Sequence, residues 1–275
     1  MSLGQTPKLI GIISCVVVVA ILSSCLYFKK EIEHFSDGTA CFEPGLALKS
    51  VDIYLINLDR NKDRLDFFIE QYMKSDLRSK QFKRISAIDG KKLAIQEFVT
   101  PKAYTEITQV EKTGFRTKHY QLTRGAIGCY LSHLMAYDII ANGDAEYGLI
   151  FEDDVSINPD FWLKLNKILP SIPNDWDVLL MSCYCILCQK LDVYYNTERF
   201  WWMHCYIIKK DVAKRLADTL KSKLIEQQID SELSDMVTEG HLKIFCLKET
   251  LSKQTGHFAT DIQTPVSGVN PYATL

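Results

Sequence analysis

Apolar and polar positions along this chain follow two periods in turn. Val51 to Leu58, "VDIYLINL", is a short β-rich apolar run of the kind that forms a buried strand. The segment "DRNKDRLDFFIEQYMKS" then sets Leu65, Phe68, Ile69 and Tyr72 at i, i+3, i+4 and i+7, one face of a helix. "FKRISAIDG" predicts a second strand closed by an Asp-Gly turn. Residues 98–122, with Pro101 and Gly114, hold no sustained period and predict a loop-rich excursion. Arg124 to Ile140, "RGAIGCYLSHLMAYDII", is apolar on nearly every side, which predicts a buried helix. Gly128, Cys129, Ser132 and Ala136 allow backbone to approach it closely, and Ser132 and His133 need partners inside it.

A third apolar run, "YGLIF", stops at three consecutive acids, Glu152, Asp153 and Asp154. A helix follows in "NPDFWLKLNKIL", with Asn158 suited to the N-cap and Pro159 to the first helical position. "WDVLLMSC" and "FWWMHCYIIK" predict two more strands, and a helix starts at Asp211. A short helix at "SELSDMV" and a strand at "HLKIFCL" complete the pattern. Strands alternating with helices over the region 51–275 predict an α/β domain with a largely parallel, Rossmann-like sheet. Ligands of such sheets sit at the carboxyl ends of the strands, where the three acids fall.

The N-terminus breaks this pattern. Leu9 to Phe28 is twenty residues without a charge, bracketed by Lys8 and by Lys29 and Lys30. At about 1.5 Å per residue it would cross roughly 30 Å of hydrocarbon. The expected layout is a tail (1–8), a single-pass signal-anchor (9–28), a stem (29–50) and one domain (51–275). A cleaved signal peptide, or lipoprotein processing at "LSSC" before Cys25, is the alternative for the apolar run. The flanking lysines leave orientation open.

Composition adds limits. The 275 residues carry a formal charge of −2 with no basic block, so no nucleic-acid footprint is expected. Of nine cysteines, Cys15 and Cys25 lie in the apolar run and seven lie beyond it. "CYCILC" continues a strand pattern, which favours buried thiols or one disulfide over a metal knuckle. No G-x-G-x-x-G, P-loop, H-E-x-x-H or G-x-S-x-G motif occurs.

The acids need a counter-charge, since neighbouring carboxylates repel by about 4 kcal/mol at ~4 Å and an effective dielectric near 20. Glu152 and Asp154 share a strand face while Asp153 points the other way, unless the strand ends there and all three turn to one crevice. Oxygen ligands suit Mn²⁺ or Mg²⁺, and such ions bind through one or two carboxylates plus substrate phosphates.

"YLINLDRNKDR", "ISAIDG", "LTRGAIGCYLSH" and "LIFEDDV", in this order and spacing, resemble glycosyltransferase family 25. The resemblance runs on through "WDVLLMSC", "CYIIKKDVAKRL", "QQIDSELSDM" and "QTGHFATDIQ", from about Val51 to Gln263. It implies a GT-A fold, a nucleotide-sugar donor and transfer with inversion, with the acidic triplet in place of a DxD motif. By position, Asp154 would bind the metal directly, Glu152 through water, and Asp153 would reach the ribose or a phosphate. His257 is the candidate late metal ligand. Asn57, Arg60, Arg64 and Asp89 would line the base and ribose seat. Asp230 would be the base, with Asp261 in reserve.

The resemblance therefore predicts a membrane-anchored, metal-dependent transferase moving a hexose, galactose before glucose, from a UDP-sugar. The acceptor would be a glycan, glycoprotein or glycolipid. Such an enzyme would lie in the ER or Golgi as a type II protein if eukaryotic or viral, or at the inner membrane if bacterial. The alternatives are a non-catalytic sugar- or nucleotide-binding relative and a metal-dependent nucleotide-diphosphate hydrolase.

Overall fold

The computed structural model describes residues 32–34, 50–114 and 121–262. The apolar run 9–28 and most of the predicted stem lie outside them. No helix among the described residues is long and apolar enough to cross a membrane.

Eleven strands and six α-helices alternate among the described residues. The strands are β1 (Ile32–His34), β2 (Val51–Asn57), β3 (Phe82–Ser86), β4 (Tyr147–Glu152), β5 (Val155–Ile157), β6 (Val178–Leu180), β7 (Tyr184–Lys190), β8 (Tyr194–Trp201), β9 (Cys205–Lys209), β10 (Ile244–Leu247) and β11 (Ser252–Gln254). The helices are α1 (Lys62–Lys74), α2 (Pro101–Thr113), α3 (Arg124–Ala141), α4 (Phe161–Ile168), α5 (Lys210–Lys221) and α6 (Ile229–Thr238).

Nine strands form one sheet in the order β1-β3-β2-β4-β9-β6-β10-β8-β7, and β5 pairs with β11 beside it. The sheet is mixed rather than largely parallel. β3, β2 and β4 run parallel, but β9 enters antiparallel between β4 and β6, and β8 runs against β10. Apolar content alone cannot tell strand direction, because β9 (Cys-Tyr-Ile-Ile-Lys) is buried on both faces like a parallel strand. Side chains alternate across the sheet. Ile53, Leu55, Leu149 and Phe151 pack on the side of α1 and α4, while Tyr54, Ile56 and Ile150 pack with α3 and α5 on the other. The result is a three-layer sandwich.

Four local expectations change. Ile32–His34 is a sheet strand within the predicted stem. Residues 101–113 are helix, not loop: Thr100 caps Ala103 N–H, Pro101 occupies the first turn, and Gly114 ends it at φ 69°. Those start and stop residues were the readable signal, since the polar exposed face weakened the period. α4 begins at Phe161, two residues late, because Asn158 folds into a turn that accepts Asp160 N–H at 3.0 Å. Its first amides, Trp162 and Leu163, are capped instead by the Asp76 carboxylate from a distant segment. "FWWMHCYIIK" is two strands, β8 and β9, parted at Trp202. Cys185 and Cys188 of "CYCILC" form a disulfide.

Candidate active site

The parallel strands β3, β2 and β4 end side by side, and their carboxyl ends deliver Asp89, Asn57 and Glu152 to one cavity of about 70 Å³. Arg60, Arg64, Cys129, His133, Asp153 and Asp261 also line it. β4 stops at Glu152, so Asp153 and Asp154 sit in a turn, free of strand alternation.

Arg64 organises the acids. It occupies the inward face of α1 and is 8% exposed, so its guanidinium is not a surface charge. It lies 3.0 Å from Asp153 Oδ1, 2.8 Å from Asp154 Oδ2 and 3.3 Å from Asp261 Oδ2. Asn57 Nδ2 donates to Asp153 Oδ2 at 2.7 Å, and Gln254 Nε2 donates to Asp154 Oδ2 at 3.1 Å. Asp154 Oδ1, also buried, has no hydrogen-bond partner among the described residues. Burial raises the Asp153 carboxyl to about 6, opposed by Arg64 and Asn57. Burial and then repulsion by Glu152 raise Asp154 to about 7, again opposed by Arg64. One arginine therefore does not neutralise the cluster.

Glu152 turns the other way, toward α3. His133 Nε2 is 3.2 Å from Glu152 Oε1, and His133 Nδ1 is 2.7 Å from the Tyr206 hydroxyl. Burial pushes the Glu152 carboxyl up, but the His133 contact, with His204 and Arg64, outweighs it and holds Glu152 below the ordinary value. Ser132, next along α3, accepts Ile88 N–H at 2.8 Å and donates to Gly128 carbonyl at 2.7 Å, so it fixes the "AIDG" loop. The expected buried roles for Ser132 and His133 hold, but His133 also forms cavity wall. His133 and Cys129 were missed as site residues. Their spacing of four puts them on one helix face, which was the available signal.

Two glycines let the walls meet. A Cβ at Gly128 would lie 2.4 Å from Ile88 carbonyl oxygen and 2.6 Å from Gly90 amide nitrogen. A Cβ at Gly125 would lie 2.0 Å from the Asp261 carbonyl oxygen. Backbone cannot yield as a side-chain tip can. Gly128→Ala is therefore expected to cost about 1–3 kcal/mol by overpacking, seen as a lower denaturation midpoint, and to displace Asp89 from the cavity. An unchanged midpoint would contradict this contact.

The remaining candidates divide. Arg60 bridges Asp261 at 2.9 Å and Asp89 at 3.5 Å, so both acids face the cavity in a fixed pose. Asp89 also caps a 3₁₀ turn by accepting Lys91 N–H. Asp261 accepts from Arg60, Asn61 and Arg64, which commits its lone pairs to tying the C-terminal segment to α1. Asp230 lies in the first turn of α6 and accepts Ser231 N–H at 2.8 Å and Trp202 N–H at 3.2 Å. Burial raises its carboxyl, and the charges of Asp230 and Glu152 both act on the Cys129 thiol. His257 is exposed in the turn after β11, with its ring 6.0 Å from Phe67. Its contacts are with Phe67 and Thr255; Thr255 N–H in turn donates to the Asp154 carbonyl.

A mixed α/β sheet whose parallel strands end at a cavity of arginines and carboxylates places a ligand site at the carboxyl ends of the strands. Residues 50–231 match the model of glycosyltransferase family 25 (LPS biosynthesis protein), and the chain belongs to that family. Mouse procollagen galactosyltransferase 2 is 32% identical over 137 residues, which cover 48% of this chain and 20% of that protein. A glycosyltransferase 25 family member of Aedes aegypti is 24% identical over 155 residues, 55% of this chain and 23% of that protein. The matched stretch thus covers only about a fifth of the length of these two relatives. Among solved structures, S. aureus TarS 1–349 overlaps 74% of this chain and 59% of its own, at 11% identity and a TM-score of 0.38.

Proposed function

We propose that this protein transfers a hexose, galactose before glucose, from a UDP-sugar to a hydroxyl of a glycan, glycoprotein or glycolipid acceptor, with inversion. Family membership supports glycosyl transfer, and the names of the procollagen galactosyltransferase relatives favour galactose. The observation that carries the donor site is the buried, unpartnered Asp154 Oδ1 in the turn after β4, on a residue paired with Arg64 of the cavity wall. A lone carboxylate oxygen in a cluster with surplus negative charge fits a divalent cation, Mn²⁺ or Mg²⁺. Asp154 would hold it directly, Glu152 through water, and His257 is the third candidate.

When bound, such an ion offsets the charge that develops on the leaving diphosphate. Asn57, Arg60 and Asp89 at the ends of β2 and β3 would seat base and ribose, and Asp153 would reach ribose or phosphate. Asp230 would take the proton of the acceptor hydroxyl as its oxygen bonds to C1 of the sugar. The bond from C1 to the phosphate oxygen breaks, and UDP leaves with the electron pair. Asp230 suits the base role better than Asp261, because burial raises it and no ion pair holds it among the described residues, whereas Asp261 is pinned by two arginines. The apolar run 9–28 would tether the domain to a membrane, in the ER or Golgi or at a bacterial inner membrane according to source.

Calorimetric titration of the full chain in detergent with UDP, with and without Mn²⁺, tests the donor site. Binding that needs Mn²⁺ is expected. No UDP binding under either condition would remove the UDP-sugar reading.

A further inference from the structure

Trp202 breaks the chain between β8 and β9 in an unusual way. Its φ is 75°, and it is the one non-glycine residue at positive φ among the described residues. A bulky side chain there is strained, and such strain persists only where the surroundings over-determine it. Both flanks are fixed: Trp201 closes β8, Cys205 opens β9, and Phe200 N–H donates to Ser234 Oγ at 3.0 Å. The Trp202 amide itself is held by Asp230 Oδ2.

Trp202 is 44% exposed. The Tyr184 ring lies 5.4 Å from its indole, and 5.8 Å from Trp201 at an interplanar angle of 16°. The Cys185–Cys188 disulfide braces the strand that carries Tyr184. Trp202 lies three residues before β9, which runs antiparallel to β4 and starts beside the acids. The first residue of β9, Cys205, pairs with Phe151, and the His204 carbonyl accepts Glu152 N–H at 2.9 Å.

We infer that Trp202 and Tyr184 form a binding platform for a pyranose ring of the acceptor. The inference rests on the glycosyl-transfer reading above and extends it to the acceptor. A pyranose has an apolar face of C–H bonds and a rim of hydroxyls, which matches an aromatic face with polar edges. Two rings cover about one sugar and fall well short of a stable protein interface. The platform also shares Asp230 with the proposed base. A sugar stacked on Trp202 would bring a hydroxyl near the carboxylate that holds the Trp202 amide. The donor seat at Asn57, Arg60 and Asp89 lies instead at the ends of β2 and β3, so the two substrates would not compete.

The test uses the full chain in detergent on an array of immobilised hexose-terminated oligosaccharides, alongside UDP titration with Mn²⁺. Asparagine tolerates positive φ, so Trp202→Asn keeps the backbone while removing the ring. Trp202→Phe restores an aromatic face. Oligosaccharide binding about tenfold weaker in Trp202→Asn and kept within about threefold in Trp202→Phe is expected, with UDP affinity the same in both. Equal oligosaccharide binding by Trp202→Asn would overturn the platform. So would a wild-type chain that binds UDP but no oligosaccharide. Ring-dependent oligosaccharide binding without UDP binding would uphold the platform and refute the transfer reading alone.

Discussion

Arg64→Met is expected to destabilise the protein by about 3–5 kcal/mol, the usual cost of removing one partner from a buried ionic cluster. The methionine keeps the hydrophobic stem of Arg64 but leaves Asp153, Asp154 and Asp261 without their shared cation. For a chain of this length that is a fall in Tm on the order of 10 °C. The loss should depend on pH. Asp153 at about 6 and Asp154 at about 7 already bind protons more tightly in the folded state than the usual carboxylate value near 4. Without Arg64 both would rise further. A group whose folded carboxyl is raised contributes stability below its unfolded value and loses it as pH climbs toward the folded one. Stability of Arg64→Met should therefore fall between about pH 4 and pH 8, more steeply than in the wild type. Millimolar Mn²⁺ should raise the Tm of Arg64→Met more than that of the wild type, because the ion then supplies the missing positive charge. A Tm within about 2 °C of the wild type would reduce Arg64 to a marginal ion pair.

Much of this site was legible in the sequence, and the reasons it was or was not are physical. The strand β2 and the run before Glu152 declared themselves because strands buried on both faces must be apolar at every position. Their ends located Asn57 and the acids without any knowledge of side-chain pose. Arg64 was ambiguous. A charged residue at helical spacing from Phe68 and Tyr72 is core-facing by position, but only the acids arriving from a segment 90 residues away make that affordable. The same holds for Asp261, whose partners lie some 200 residues earlier. Long-range pairings carry no local period. The direction of β9 was invisible for a similar reason, since strand polarity depends on connections rather than composition. Helix α2 was a different kind of miss. Its cap, its Pro101 and its Gly114 were all present, and the weak period of a mostly exposed helix hid them. Trp202 could not have been found at all, because nothing in "RFWWMHC" requires a left-handed tryptophan.

Asp154→Asn is expected to lower Mn²⁺-dependent UDP affinity by more than about a hundredfold, since replacing even an outer-shell partner of a metal ligand typically costs 10–100-fold. The substitution is close to isosteric. Gln254 can still meet the side chain, and Arg64 retains Asp153 and Asp261, so the fold should persist. Charge removal should relieve the burial cost and the repulsion by Glu152 that together raise Asp154 to about 7. Tm without metal is therefore expected to hold or rise slightly while the Mn²⁺-induced rise disappears. That opposite movement of stability and ligand binding separates a binding residue from a structural one, because a structural carboxylate would lose both together. Glu152→Gln supplies the comparison. Its carboxylate faces His133 and would reach the ion only through water, so a smaller loss, about tenfold, is expected. Unchanged Mn²⁺-dependent UDP affinity in Asp154→Asn would sink the metal assignment. The unpartnered Asp154 oxygen would then await a different cation, or a donor group of the substrate itself.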